Sequence, residues 1–146
     1  MKILMVCLGN ICRSPLAEGI MKTKLSENFK VDSAGTGNWH VGKLPDERSI
    51  DIAYKHGIDI TDQRARQFKV EDFDTYDLIY VMDQSNYSDV LELAKNEEHI
   101  SKVKMFLPNS EDVPDPYFGG IDGFQKVFDL LDEASDRIAE ELINKQ

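Results

Sequence analysis

Short apolar runs alternate with longer stretches of helical spacing along this chain. The run Lys2-Ile3-Leu4-Met5-Val6-Cys7 is almost wholly apolar, which fits a central strand buried on both faces. Residues 77–82 repeat that character and end at Asp83, residues 30–34 form a shorter strand that breaks at Gly35, and residues 103–107 read as the last strand. Between them, Ser14 reads as an N-cap and Pro15 as the first helical residue, where its missing N–H costs nothing. Leu16, Ala17, Ile20, Met21 and Leu25 then form the apolar stripe of a helix reaching about Glu27. Pro45-Asp46-Glu47 opens a second helix, which Gly57 closes after His56. Val70-Glu71-Asp72-Phe73 reads as one helical turn and residues 85–95 as a further helix. Phe124, Val127, Phe128, Leu131, Ala134, Ile138 and Leu142 mark a long C-terminal one.

Strands alternating with helices predict an α/β domain over residues 1–146 with a parallel sheet and right-handed crossovers. In such sheets ligands bind beyond the carboxyl ends of the strands. Residues 7–13, residues 33–39 and Met82-Asp83 all fall at such ends, so the strand pattern and the candidate chemistry point to one edge.

Composition narrows the classes. The 146 residues are 41% hydrophobic and 30% charged, as in an ordinary globular domain. The N-terminal apolar run is short and leads into Cys7 rather than a small-residue cleavage site, so a cytoplasmic protein without a signal peptide is expected. Two cysteines are too few for a disulfide scaffold, and His40, His56 and His99 are scattered, so no metal is expected. A net charge of −10 argues against nucleic acid or an anionic membrane as partner. That charge is uneven: residues 1–70 carry 11 basic and 8 acidic side chains, residues 71–146 carry 6 and 19. Arg13, Arg64 and Arg66 lie in the basic half, where an anion is tolerated.

The chemistry concentrates in Cys7-Leu8-Gly9-Asn10-Ile11-Cys12-Arg13-Ser14-Pro15. A loop entering a helix offers backbone N–H groups and the positive end of the helix dipole to a phosphate, and the same field favours a thiolate at Cys7. Arg13 adds a planar, permanently charged fork that matches two phosphate oxygens. Gly9 and Asn10 are the residue types that most readily take positive φ, as a loop with inward amides demands. An isolated cysteine at a strand end reads first as a small buried hydrophobe; the company of Gly9, Asn10, Arg13 and Ser14 changes that reading. The GKS/GKT ending of a nucleotide P-loop and the GxGxxG pattern are both missing.

These residues, followed by Asp32-Ser33-Ala34-Gly35-Thr36 and Asp115-Pro116-Tyr117, resemble the low-molecular-weight protein tyrosine phosphatases over essentially the whole chain. The resemblance implies that Cys7 is the nucleophile, that Arg13 and the residue 8–12 amides (Leu8, Gly9, Asn10, Ile11, Cys12) hold phosphate, and that Asp115 is the general acid and then base. It implies that Ser14 donates its hydroxyl to the Cys7 sulfur, that Asn10 and Ser33 buttress the loop, and that Ile11, Trp39 and Tyr117 wall the substrate slot. Trp39 with Tyr117-Phe118 is nearer the pattern of eukaryotic members. Gln63 stands where relatives often carry histidine, and His40 where eukaryotic relatives often carry asparagine. Asp83 either orients Arg13 or caps the following helix. Cys12 either forms a protective disulfide with Cys7, as in several relatives, or is a half-buried thiol without a role. The family implies a four-stranded parallel sheet flanked by helices on both faces, flavodoxin- or Rossmann-like, with phosphotyrosine proteins as substrates and no cofactor, and a monomer is expected.

Three rivals share parts of this pattern. Thioredoxin-coupled arsenate reductases need two further cysteines, and none follows Cys12. Phosphoarginine phosphatases carry threonine where Ile11 stands, and an aliphatic residue suits a flat phenol better. Cysteine phosphocarrier domains need neither Arg13 nor a separate acid such as Asp115.

Overall fold

The computed structural model describes residues 1–117 and 121–145. Among them four strands, β1 (Lys2–Cys7), β2 (Lys30–Gly35), β3 (Leu78–Val81) and β4 (Val103–Met105), form one sheet in the order β2-β1-β3-β4, each neighbouring pair parallel. Parallel neighbours require crossovers, and helices supply them. α1 (Arg13–Lys24) joins β1 to β2, and α2 (Glu47–Lys55) and α3 (Asp72–Thr75) lie between β2 and β3. α4 (Gln84–Leu93) and α5 (Glu97–Lys102) lie between β3 and β4, and α6 (Ile121–Asn144) follows the last strand.

The apolar character of β1 has its explanation in the two faces it buries. Ile3, Met5 and Cys7 pack with Leu16 and Ile20 of α1, Ile52 of α2, and Val127, Phe128 and Leu131 of α6. Leu4 and Val6 point the other way, toward Ile79 and Val81 of β3, Phe73 of α3 and Val90 of α4. Burial of each such side chain stabilises the fold by about 1.5–3 kcal/mol. β1 therefore sits between β2 and β3, with helices leaving its two neighbours for opposite faces. That is the point in an open α/β sheet where a crevice forms at the carboxyl edge.

Local departures from the sequence pattern have local causes. α1 stops at Lys24, short of Glu27, where Leu25 turns extended (φ −112°, ψ 152°) and its amide bonds Met21 O. β4 ends at Met105, although the Phe106 amide still donates to Val81 O at 2.9 Å. α5 has no counterpart in the sequence reading. It is six residues long and held by its Asn96 cap, whose Oδ1 accepts from the His99 amide at 2.8 Å, so it has no apolar period to detect. The loop expected from Pro108 to Gly120 contains a 3₁₀ turn at Pro108–Ser110; Phe118 and the two glycines that follow lie outside the described residues.

Candidate active site

Beyond the carboxyl end of β1 the backbone folds into a loop whose carbonyls turn outward. Cys7 O accepts from Thr36 N (2.9 Å), Leu8 O from Gly37 N (2.9 Å), Ile11 O from Asp46 N (2.7 Å) and Cys12 O from Leu16 N (3.4 Å). Among the described residues, the amides of residues 8–14 have no acceptor. A run of inward N–H groups of this kind forms an anion nest. Asn10 makes the turn by taking φ 56°. Gly9 does not take positive φ, contrary to the sequence expectation. It is small because a Cβ there would sit 3.1 Å from the His40 ring. Gly35 supports the loop from beneath, where a Cβ would lie 2.7 Å from Leu8 O and 3.0 Å from Asn10 N.

Side chains hold the loop from behind. Asn10 Oδ1 accepts from the Arg66 amide (3.0 Å), which orients the carboxamide, and its Nδ2 donates to Ser14 Oγ (2.8 Å) and Ser33 Oγ (2.9 Å). Ser14 is not the N-cap. Cys12 takes that position without a side-chain bond, and Ser14 lies fully buried in the first turn, 3.0 Å from Cys7 Sγ. Ser14 Oγ accepts from Asn10, and for its own proton it has two acceptors in reach, Cys7 Sγ at 3.0 Å and Ala34 O at 3.5 Å. Ser33 Oγ lies 3.5 Å from Gln63 Oε1, and Gln63 Nε2 donates to Pro15 O at 3.0 Å. The Gln63 amide thus ties β2 to the start of α1.

Arg13 is 2% exposed. Its Nη1 donates to Asp83 Oδ2 (2.7 Å) and Val113 O (3.0 Å), and Nη2 lies 3.6 Å from Asp115 Oδ2. Burial opposes its charge, but Cys7, Asp83 and Asp115 outweigh that and hold its pKa above the ordinary value. Asp83 serves two partners at once, since its Oδ1 caps α4 by accepting from Asn86 N at 2.7 Å. The segment carrying Asp115 leaves the sheet edge through Val113 N, which donates to Met82 O at 2.7 Å. Asp115 itself accepts from the Tyr117 amide at 3.0 Å.

Cys7, Leu8, Ile11, Cys12 and Arg13 share one cleft with Asp115, Trp39, His40 and Tyr117. Trp39 is 66% exposed, and its ring rests on Gly37, where a Cβ would overlap it. The Tyr117 ring faces His40 at 6.3 Å between centroids. Cys12 is buried beside Cys7; burial first, then Asp46 and Cys7, push its thiol up to about 12. It is therefore a neutral thiol at neutral pH.

The family model for low molecular weight phosphotyrosine protein phosphatase matches residues 2–146. The chain belongs to this family. The Bacillus subtilis low molecular weight protein-tyrosine-phosphatase YfkJ is 41% identical over 138 residues, covering 88% of this chain and 87% of the relative. The crystal structure of a protein tyrosine phosphatase from Entamoeba histolytica superposes with a TM-score of 0.92 at 35% identity, covering 99% of this chain and 98% of that one. The tyrosine phosphatase Wzb from Escherichia coli K30, solved in complex with sulphate, superposes at 0.88 and 36% identity, with 97% of each chain covered.

As a low molecular weight tyrosine phosphatase the chain is a hydrolase, built on the four-stranded parallel α/β fold of its relatives. Several residues that shape its cleft escaped the sequence reading. Gly37 seats Trp39, the Val113 carbonyl holds Arg13, and Asp46 holds Ile11 O. Only Gly37, two residues before the single tryptophan, carried a local signal.

Proposed function

We propose that this phosphatase hydrolyses phosphotyrosine in protein substrates through a phosphocysteine on Cys7. The Cys7 thiolate attacks phosphorus as the bond from phosphorus to the phenolic oxygen breaks, and Asp115 in its acid form gives its proton to the departing oxygen. Arg13 and the loop amides hold the three non-bridging oxygens throughout. Water then attacks the phosphocysteine, Asp115 takes a proton from it, the S–P bond breaks, and the Ser14 hydroxyl donates to the thiolate that leaves. Inorganic phosphate is the second product.

One observation carries this reading: Asp115, far along the chain from the loop that holds Cys7 and Arg13, lines the same cleft, with Arg13 Nη2 and Asp115 Oδ2 3.6 Å apart. Ile11, Trp39 and Tyr117 around the same cleft support a flat aromatic leaving group. Asn10, Ser33 and Asp83 act as loop and Arg13 supports in the same proposal. Cytoplasmic location and a monomeric state belong to it as well, and fractionation and sedimentation test them.

Hydrolysis of p-nitrophenyl phosphate in EDTA tests the mechanism. Acid-quenched wild type should carry phosphate on Cys7, and Cys7→Ser should neither carry it nor turn over. Turnover surviving in Cys7→Ser, or lost with EDTA, would overturn the proposal. Phosphotyrosine and phosphoarginine peptides compared on the wild type and on Ile11→Thr test the substrate class: the wild type should prefer phosphotyrosine, and Ile11→Thr should narrow that preference.

A further inference from the structure

The Asp115 segment is held at its start by Arg13, through Val113 O. At its other end stands a second arginine, Arg48, in the first turn of α2. Arg48 Nε donates to Asp46 Oδ1 (3.0 Å) and Nη2 to Asp46 Oδ2 (3.1 Å), and Nη2 also donates to Tyr117 O at 2.9 Å. The same guanidinium lies 4.6 Å from the centroid of Phe124 and 5.5 Å from that of Tyr117. Asp46 is not a passive partner, because its amide donates to Ile11 O of the phosphate loop at 2.7 Å. Its carboxylate also caps α2 by accepting from the Arg48 amide at 2.9 Å.

These contacts form one connected path. Ile11 is tied to Asp46, Asp46 to Arg48, Arg48 to the Tyr117 carbonyl, and the Tyr117 amide to Asp115 Oδ1 at 3.0 Å. The residue whose carbonyl Arg48 holds is therefore the residue whose amide aims the acid. We propose that Arg48 is a positioning residue for proton donation: by clamping Tyr117 to the phosphate loop through Asp46, it keeps the Asp115 carboxyl over the cleft. The planar fork is required, since one group must grip both Asp46 oxygens and still reach Tyr117 O. A lysine ammonium keeps the charge but cannot hold that geometry. The proposal rests on Asp115 being the general acid.

The test compares kcat/KM on phenyl phosphate, whose leaving group needs a proton, with 2,4-dinitrophenyl phosphate, whose leaving group needs little. The proteins are wild type, Arg48→Lys, Arg48→Gln, Asp115→Ala and the double variant Arg48→Lys/Asp115→Ala, each checked for native thermal unfolding. Arg48→Lys should lose about 10-fold or more on phenyl phosphate, a fraction of the roughly 10²–10⁴ a general acid supplies, and several-fold less on the dinitrophenyl ester. Arg48→Gln should follow it. In the Asp115→Ala background Arg48→Lys should add no further selectivity between the esters. Equal losses on both esters, or selectivity that persists without Asp115, would overturn the proposal. If Asp115→Ala itself does not discriminate between the esters, the acid assignment fails first, so the two failures are distinguishable.

Discussion

Arg13 and Asp83, seventy residues apart in sequence, meet at 2.7 Å in a site where the guanidinium is 2% exposed. A charge so buried is tolerable only with a partner, and Asp83 arrives already fixed by its second duty as the N-cap of α4. Sheet edge, helix cap and the buried Arg13 are thereby one structural unit.

Asp83→Asn separates those duties. Asparagine caps a helix as well as aspartate, so α4 should keep its start, while Arg13 loses its nearest carboxylate. Urea unfolding should report a loss of about 3 kcal/mol, the size expected when one partner of a buried pair is neutralised. The kcat/KM for p-nitrophenyl phosphate should fall at least 10-fold, about 1.4 kcal/mol of lost transition-state stabilisation. Unchanged kinetics would mean that Arg13 does not depend on this contact.

Asn10 combines a left-handed backbone with three hydrogen bonds, and two variants divide these contributions. Asn10→Gly keeps the backbone freedom and loses the bonds; Asn10→Ala loses both. The alanine variant should be less stable than the glycine variant by about 1–2 kcal/mol, the cost of a Cβ at positive φ. Both should lose activity. An alanine variant as stable as the glycine one would show that the loop relaxes out of its left-handed turn.

Gly37→Ala should displace Trp39 from its seat without disturbing the core, because the ring is mostly exposed. Trp39 is the single tryptophan, so its fluorescence reports the displacement directly. The KM for a phosphotyrosine peptide should rise roughly 3- to 10-fold, matching the 0.5–1.5 kcal/mol of an aromatic contact, with kcat nearly unchanged. A shifted emission with an unaltered KM would remove Trp39 from the substrate slot.

Cys12 predicts a pH dependence of stability. Its thiol is raised from 9.0 to about 12 by burial and by Asp46 and Cys7, so between those values the folded state retains a proton that the unfolded chain has lost. Stability must then fall as pH rises above about 9, by at most about 1.4 kcal/mol per pH unit for one proton. Tyr76 and Tyr80 are raised to about 12 as well, so the contribution of Cys12 is read as a difference. Cys12→Ser should show a shallower alkaline loss than the wild type in denaturant titrations at pH 8, 9 and 10. Parallel curves would refute the buried neutral thiol.

The sequence alone carried what depends on neighbours in the chain. The apolar run of β1, the helical stripes of α1 and α6, and the loop from Cys7 to Arg13 are local patterns, because strand and helix periods and a loop's backbone demands are set within a few residues. That is why the α/β fold and the Cys7 loop were legible without coordinates. Ser14 shows the limit of local reasoning: its type and place fit an N-cap, but the loop draws its hydroxyl to Cys7 and leaves the cap to Cys12. Tertiary structure decided which distant groups complete the site. It joined the two readings of Asp83, gave Gln63 a partner in Pro15 O, and set Gly37 beneath Trp39. It also brought Arg48 to the end of the Asp115 segment. Such contacts depend on how the strands are ordered and how the crossovers pack. No periodicity in the chain records them, because their partners meet only once the sheet has formed.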